Sequence, residues 1–142
     1  MKKIKFILII FLFSISITSN VDAKKNYFDE GKKLFLKKNF DKSKFKFQQD
    51  IVFNPKSEKS YLYLAKIYKL ENNEKFEEQN LNTVILLNPK NEEAIYLLAL
   101  LKIKQSDFSK SNNLINTLMK ICKNFCGKEK ELNTKLKNLQ PG

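Results

Sequence analysis

Cys122 and Cys126 are the only cysteines in this chain, and it contains no histidine. Without imidazole, the usual zinc and haem ligand sets are absent, and two cysteines alone do not complete a structural zinc site. No nucleophile stands beside a base, and no glycine-rich loop is present to cradle a phosphate. The adjacent carboxylates Glu77-Glu78 and Glu92-Glu93 are neighbours on helical stretches, where successive side chains point in different directions. Capping and solvated roles suit them better than paired acid–base work. The expectation is a protein that is not an enzyme, with no catalytic residues, no cofactor and no metal.

The two thiols are the remaining reactive groups. An even pair in an exported chain suggests a disulfide. The i, i+4 spacing is awkward inside a regular helix because a bridge restricts how its cysteines face one another. Gly127 is placed to end the preceding helix and relax that restriction. Two buried thiols in a helix interface, or bridges to another chain, are the alternatives. A bridge here would pin the chain's end and would not be a redox centre, since the Cys-x-x-Cys spacing of thiol oxidoreductases is missing.

Export is itself read from the first residues. Lys2, Lys3 and Lys5 precede a run from Phe6 to Ile17 that is apolar except for Ser14 and Ser16, and Val21-Asp22-Ala23 follows. Charge, short apolar run and small-x-small site form the layout of a secretory signal peptide, with cleavage after Ala23. A spanning helix needs about 20 apolar residues, more than this run supplies. No cysteine lies near the site, so lipid anchoring is not supported. The expected location is outside the cytoplasm, in a bacterial periplasm; a secreted protein of an AT-rich eukaryote would begin similarly.

The chain carries 27 Lys+Arg and 15 Asp+Glu. Loss of three lysines and Asp22 with residues 1–23 leaves 24 bases and 14 acids, net +10, on 119 residues. That length suits one domain. Every base is lysine, and asparagine is abundant, as adenine-rich coding produces without selection for binding. Nucleic-acid readers usually place arginine at phosphates and base edges, so a nucleic-acid partner is not expected. The charge reads mainly as solvated surface.

What positions these groups is a repeat. Asn54-Pro55-Lys56 recurs as Asn88-Pro89-Lys90, 34 residues later. The same shift places Tyr27 on Tyr61 and Ile95, Gly31 on Ala65 and Ala99, Leu34 on Tyr68, Phe47 on Leu81 and Ile115, and Phe53 on Leu87 and Ile121. Three units follow, at about residues 24–57, 58–91 and 92–125. Apolar spacing within each is helical rather than alternating. The polar breaks Lys38-Asn39, Asn72-Asn73 and Ser106-Asp107 fit turns inside units, with Asp41 and Asp107 as helix caps. Pro55 and Pro89 end the second helices. Lys128 to Gln140 reads as a polar helix with Leu132, Leu136 and Leu139 on one stripe, able to cap the third unit.

On these residues the chain resembles the tetratricopeptide-repeat family. The second unit matches its pattern through Tyr61, Leu64-Ala65, Tyr68, Leu81 and Pro89. The first matches through Tyr27, Gly31, Leu34, Ser43, Phe47 and Pro55, and the third through Ile95, Leu98-Ala99, Ser111 and Ile115. Glu30, Asp50, Glu77, Lys102 and Lys123 depart from it. The resemblance implies an all-α fold, a short right-handed α-solenoid of three helix pairs over residues 24–127, with a C-terminal capping helix and tail over 128–142. It also implies a concave groove lined by the first helix of each unit. Carried over by register, that groove comprises Phe28, Lys32 and Phe35, then Leu62, Lys66 and Lys69, then Tyr96, Leu100 and Ile103. Each triplet follows i, i+4, i+7 and so shares a helix face. The implied partner is a peptide or protein segment with apolar anchors and acidic residues. Core packing between units is the alternative for Leu62, Leu100 and Ile103. Peripheral contact with anionic envelope surfaces through lysine, and homo-oligomeric assembly through an exposed repeat face, are the other readings.

Overall fold

The computed structural model describes residues 26–139. The expected signal peptide over 1–23 and the tail over 140–142 lie outside the described residues. Within them the chain forms seven helices and no strand: α1 (Tyr27–Leu36), α2 (Phe40–Phe53), α3 (Glu58–Leu70), α4 (Glu74–Leu87), α5 (Glu92–Lys104), α6 (Phe108–Ile121) and α7 (Lys128–Leu139). Each helix packs against its chain neighbour, α1 also touches α3, and α7 lies on both α5 and α6. Among the described residues no helix is long and apolar enough to cross a bilayer.

The backbone repeats with the sequence. Lys38, Asn72 and Ser106 are the described non-glycine residues with positive φ, at 58°, 55° and 58°. They stand 34 residues apart, one in each turn after α1, α3 and α5. The next residue's N–H reaches back to the helix each time: Asn39 to Leu34 O at 3.0 Å, Asn73 to Tyr68 O at 2.9 Å, Asp107 to Lys102 O at 2.9 Å. This is the Schellman arrangement, which satisfies carbonyls orphaned by the helix end. Asn73, Asn91 and Asp107 then cap α4, α5 and α6 through side-chain oxygens. Asp41 is not a cap, contrary to expectation: it lies inside the first turn of α2, whose cap position is Asn39.

One departure from the repeat pattern, Asp50, is matched by a partner on the next helix. Asp50 accepts a hydrogen bond from the Ser60 hydroxyl at 2.5 Å, joining α2 to α3. The equivalent positions at the next junction are Val84 and Ala94, both fully buried. A polar pair has exchanged for an apolar one of similar bulk, so neither junction buries a lone polar group.

The repeat ends at Cys122. Its N–H still bonds Leu118 O at 2.8 Å, as Asn54 and Asn88 do to Asp50 and Val84. The chain then turns away where the other units have Pro55 and Pro89. α6 therefore stops at Ile121, and Gly127 is not its stop signal: it sits in the turn leading into α7. Leu132 and Leu136 are buried against Ile95, Ile103, Ile115 and Leu118. Leu139, expected on the same stripe, is 56% exposed.

Candidate binding face

Successive odd-numbered helices are joined by one cluster at each junction. Between α1 and α3, Phe28 and Phe35 both converge on Tyr63, with ring centroids 5.8 and 5.1 Å away. Phe28 also meets Phe47, and Phe35 meets Phe40. Between α3 and α5, Lys66 pairs with Glu93 at 2.7 Å and lies 4.8 Å over the Tyr63 ring. Between α5 and α7, the Tyr96 hydroxyl donates to Glu131 at 3.1 Å while its ring packs on Phe125.

The nine expected contact residues thus fall into three groups. Lys32 and Lys69 are exposed. Phe28, Phe35, Lys66, Tyr96 and Leu100 are half-buried, each but Leu100 already engaged as above. Leu62 and Ile103 are 8% and 4% exposed and belong to the helix–helix core. Helix α7 explains the third triplet: it lies on α5 and covers much of the face that the sequence assigned to a partner. What stays open there is a cavity of about 370 Å³ between α5 and α7, lined by Leu100, Ile103, Lys104, Lys135, Asn138 and Leu139. It has an apolar floor and two ammoniums at its rim. Lys104 is itself held by Glu74 at 2.8 Å, a hydrogen bond that keeps the ammonium pKa above its ordinary value. Glu131, bonded by Lys128, Lys135 and Tyr96, is pulled down to about 2.

Tyr63 and the acidic partners Glu93 and Glu131 were missed by sequence reasoning. Tyr63 lies one position beyond the register used for Leu62, so only the packing of α1 reveals it. Also missed was the loop between α6 and α7. Cys122 and Cys126 stand at disulfide distance there, with Cα atoms 5.1 Å apart. Both lie outside the helices, which removes the spacing difficulty. Three consecutive N–H groups of this loop, from Lys123, Asn124 and Phe125, donate to the Glu92 carboxylate at 2.8–2.9 Å. Such a concave set of amides suits an anion, and the chain supplies its own. Desolvation raises the Glu92 pKa, but the three amides outweigh it and the net shift is downward.

Among the described residues no group of three His, Cys, Asp or Glu side chains is placed to hold a metal ion. Compared with known proteins, the sequence matches no protein-family model and no curated protein.

Proposed function

We propose that this chain is a short right-handed α-solenoid of three tetratricopeptide-type helix pairs capped by α7. In this reading it is an exported, periplasmic scaffold without enzymatic activity that holds a peptide or partner protein. The binding face is the side carrying α1, α3 and α5. Support comes from the 34-residue recurrence of turn geometry at Lys38, Asn72 and Ser106, and from the residue pattern itself. The observation that carries the binding assignment is the open cavity at Leu100 and Ile103, two residues placed in the groove by register alone. Its apolar floor and lysine rim fit an apolar anchor followed by a carboxylate.

The lysine excess favours a second reading, peripheral association with anionic envelope surfaces. Salt separates the two. Anchors buried in a groove hold at moderate ionic strength, whereas dispersed lysines lose their attraction as the Debye length falls from about 10 Å at 0.1 M to about 3 Å at 1 M. Retention of an envelope partner through a moderate-salt wash supports the groove, and loss of all binding in that wash supports the surface reading.

A further inference from the structure

The lysine excess is not spread evenly along the repeat. Residues 24–57 hold ten lysines against four acids, 58–91 five against five, and 92–125 five against three. In the first unit the imbalance collects around the turn after α1, where Lys33, Lys37, Lys38 and Lys42 are all exposed. The acids nearby are committed elsewhere: Glu71 holds Lys44 at 2.5 Å, Glu30 holds Lys46 at 2.6 Å, and Asp29 bonds Asn26. Asp41 is the one other acid at this turn, and it acts on Lys44 as well. Around the second and third turns the acids keep pace, with Lys69 offsetting Glu77 and Lys104, Lys102 and Lys110 paired to Glu74, Glu78 and Asp107.

Adenine-rich coding raises lysine and asparagine alike, so it does not choose between them at a given position. Geometry does. Lys38 has φ 58°, the left-handed conformation at a helix end that favours glycine or asparagine, and Asn72 fills the equivalent place at 55°. Lysine there costs stability, and its charge is what it brings in return.

Two apolar side chains share this edge. Leu36 and Leu70, 34 residues apart at the ends of α1 and α3, are 70% and 56% exposed. Leu36 lies one helical turn from Lys33 and next to Lys37. The Lys44–Glu71 bridge ties α2 to the turn after α3, so the two leucines stand on neighbouring turns.

We propose that this edge docks peripherally on an anionic phospholipid bilayer. Leu36 and Leu70 enter the interface, and Lys33, Lys37, Lys38 and Lys42 meet the headgroup phosphates. The proposal deepens the surface-association reading above and rests on it, replacing dispersed lysines with one defined patch. Unmatched ammoniums set the sign of the partner. The leucines select lipid over a soluble or wall-bound polyanion, which offers no apolar phase to receive them.

The test titrates the purified full chain at low ionic strength with phosphatidylcholine vesicles with and without phosphatidylglycerol, and with inorganic polyphosphate. Binding should weaken about tenfold or more when phosphatidylglycerol is left out. In anionic bicelles carrying a spin-labelled lipid, the methyl resonances of Leu36 and Leu70 should broaden, while those of Leu86, 81% exposed on α4, should not. Lys38→Asn should keep or raise thermal stability yet weaken vesicle binding about fivefold, and Lys33→Gln/Lys37→Gln/Lys38→Gln about a hundredfold. Leu36→Ser/Leu70→Ser, at exposed positions, should weaken it about tenfold. Vesicle binding without broadening at Leu36 and Leu70, or full binding by Lys38→Asn, overturns the edge and leaves surface association standing. No binding to anionic vesicles overturns both. Equal binding to vesicles lacking phosphatidylglycerol, or polyphosphate bound as tightly as the vesicles, overturns the assignment to anionic lipid.

Discussion

A Cβ built on Gly31 would stand 2.8 Å from Cε1 of Phe47, closer than side chains pack. The equivalent positions hold Ala65 with Leu81 and Ala99 with Ile115, each pair within one core cluster, so the smallest residue is matched to the largest and the next size up to the smaller aliphatics. In an open helix, Gly to Ala gains about 0.5–1 kcal/mol. Here the Phe47 ring is fully buried between Phe28 and Tyr63 and cannot retreat. Gly31→Ala should therefore destabilise by roughly 1–3 kcal/mol in denaturant unfolding. Combining it with Phe47→Leu reproduces the Ala65–Leu81 pairing, and the double variant should be about 1 kcal/mol or more better than the two single losses added together. Strict additivity would show that the two residues do not oppose one another.

Glu77 occupies the place that Ser43 and Ser111 hold in the other units. Those hydroxyls donate to Gly31 O and Ala99 O at 2.8 and 3.4 Å. Glu77 is 5% exposed, and burial raises its pKa above the ordinary 4.5. The folded state then holds its proton more tightly than the unfolded one, so stability is full below the ordinary value and falls as pH rises above it. Glu77→Ser should raise neutral-pH stability by about 1 kcal/mol and flatten that decline. Thermal unfolding from pH 4 to 8 reads both.

The loop holding Glu92 is closed by Cys122 and Cys126. A loop this short gains about 2 kcal/mol from a bridge in the chain-entropy account. Cys122→Ser and dithiol-reduced wild type should lose a similar amount of stability, with protection lost first at Lys123, Asn124 and Phe125 in hydrogen exchange. Glu92→Gln should weaken the same amides. Since its folded pKa is depressed, Glu92's contribution is present above pH 4.5 and is lost as pH falls below it. Unchanged protection in the reduced protein would separate the bridge from the loop.

Glu131 ties α7 to α5, and its carboxyl is held at about 2 by Lys128, Lys135 and Tyr96. A depressed acid stabilises the fold above its unfolded pKa, so this contribution should fade between pH 4.5 and about 2. Carbon-detected titration of the Glu131 carboxyl should give a midpoint well below 4.5, and Glu131→Gln should remove the acid-dependent part of α7 loosening. Leu132, fully buried on the inner face of α7, is the stronger anchor, and Leu132→Ala should cost about 2–5 kcal/mol.

The helices and their turns were legible because the 34-residue period and the polar breaks report directly on local backbone. Asp107 was recognisable as a cap, whereas Asp41 was not distinguishable from one, since both precede an apolar stretch and only the turn geometry puts Asn39 at the cap position. The compensations were illegible. Asp50, Glu77 and Lys102 each stand out as departures, yet Ser60, the buried site of Glu77 and the Glu78 pairing appear only when neighbouring units are stacked. The same holds for the binding face. Register placed Leu62 and Leu100 alike, but α5 and α7 decide that one is core and the other lines a cavity.

The central claim is that the side carrying α1, α3 and α5 holds a partner, and the most direct test uses its exposed residues. Phe28, Phe35 and Tyr96 are packed, so truncating them would loosen the fold along with the face. Lys32 and Lys69 are exposed, so reversing them leaves that packing intact; Lys69 also offsets the buried Glu77 carboxyl, which makes the helicity check below essential. Envelope extract should be passed over wild type, Lys32→Glu/Lys69→Glu, and a control, Val52→Asp on exposed α2, with a moderate-salt wash and equal helicity verified. The account predicts one partner held by wild type and the control and lost by the double lysine variant. The same partner held equally by all three, or none held by wild type, would contradict it.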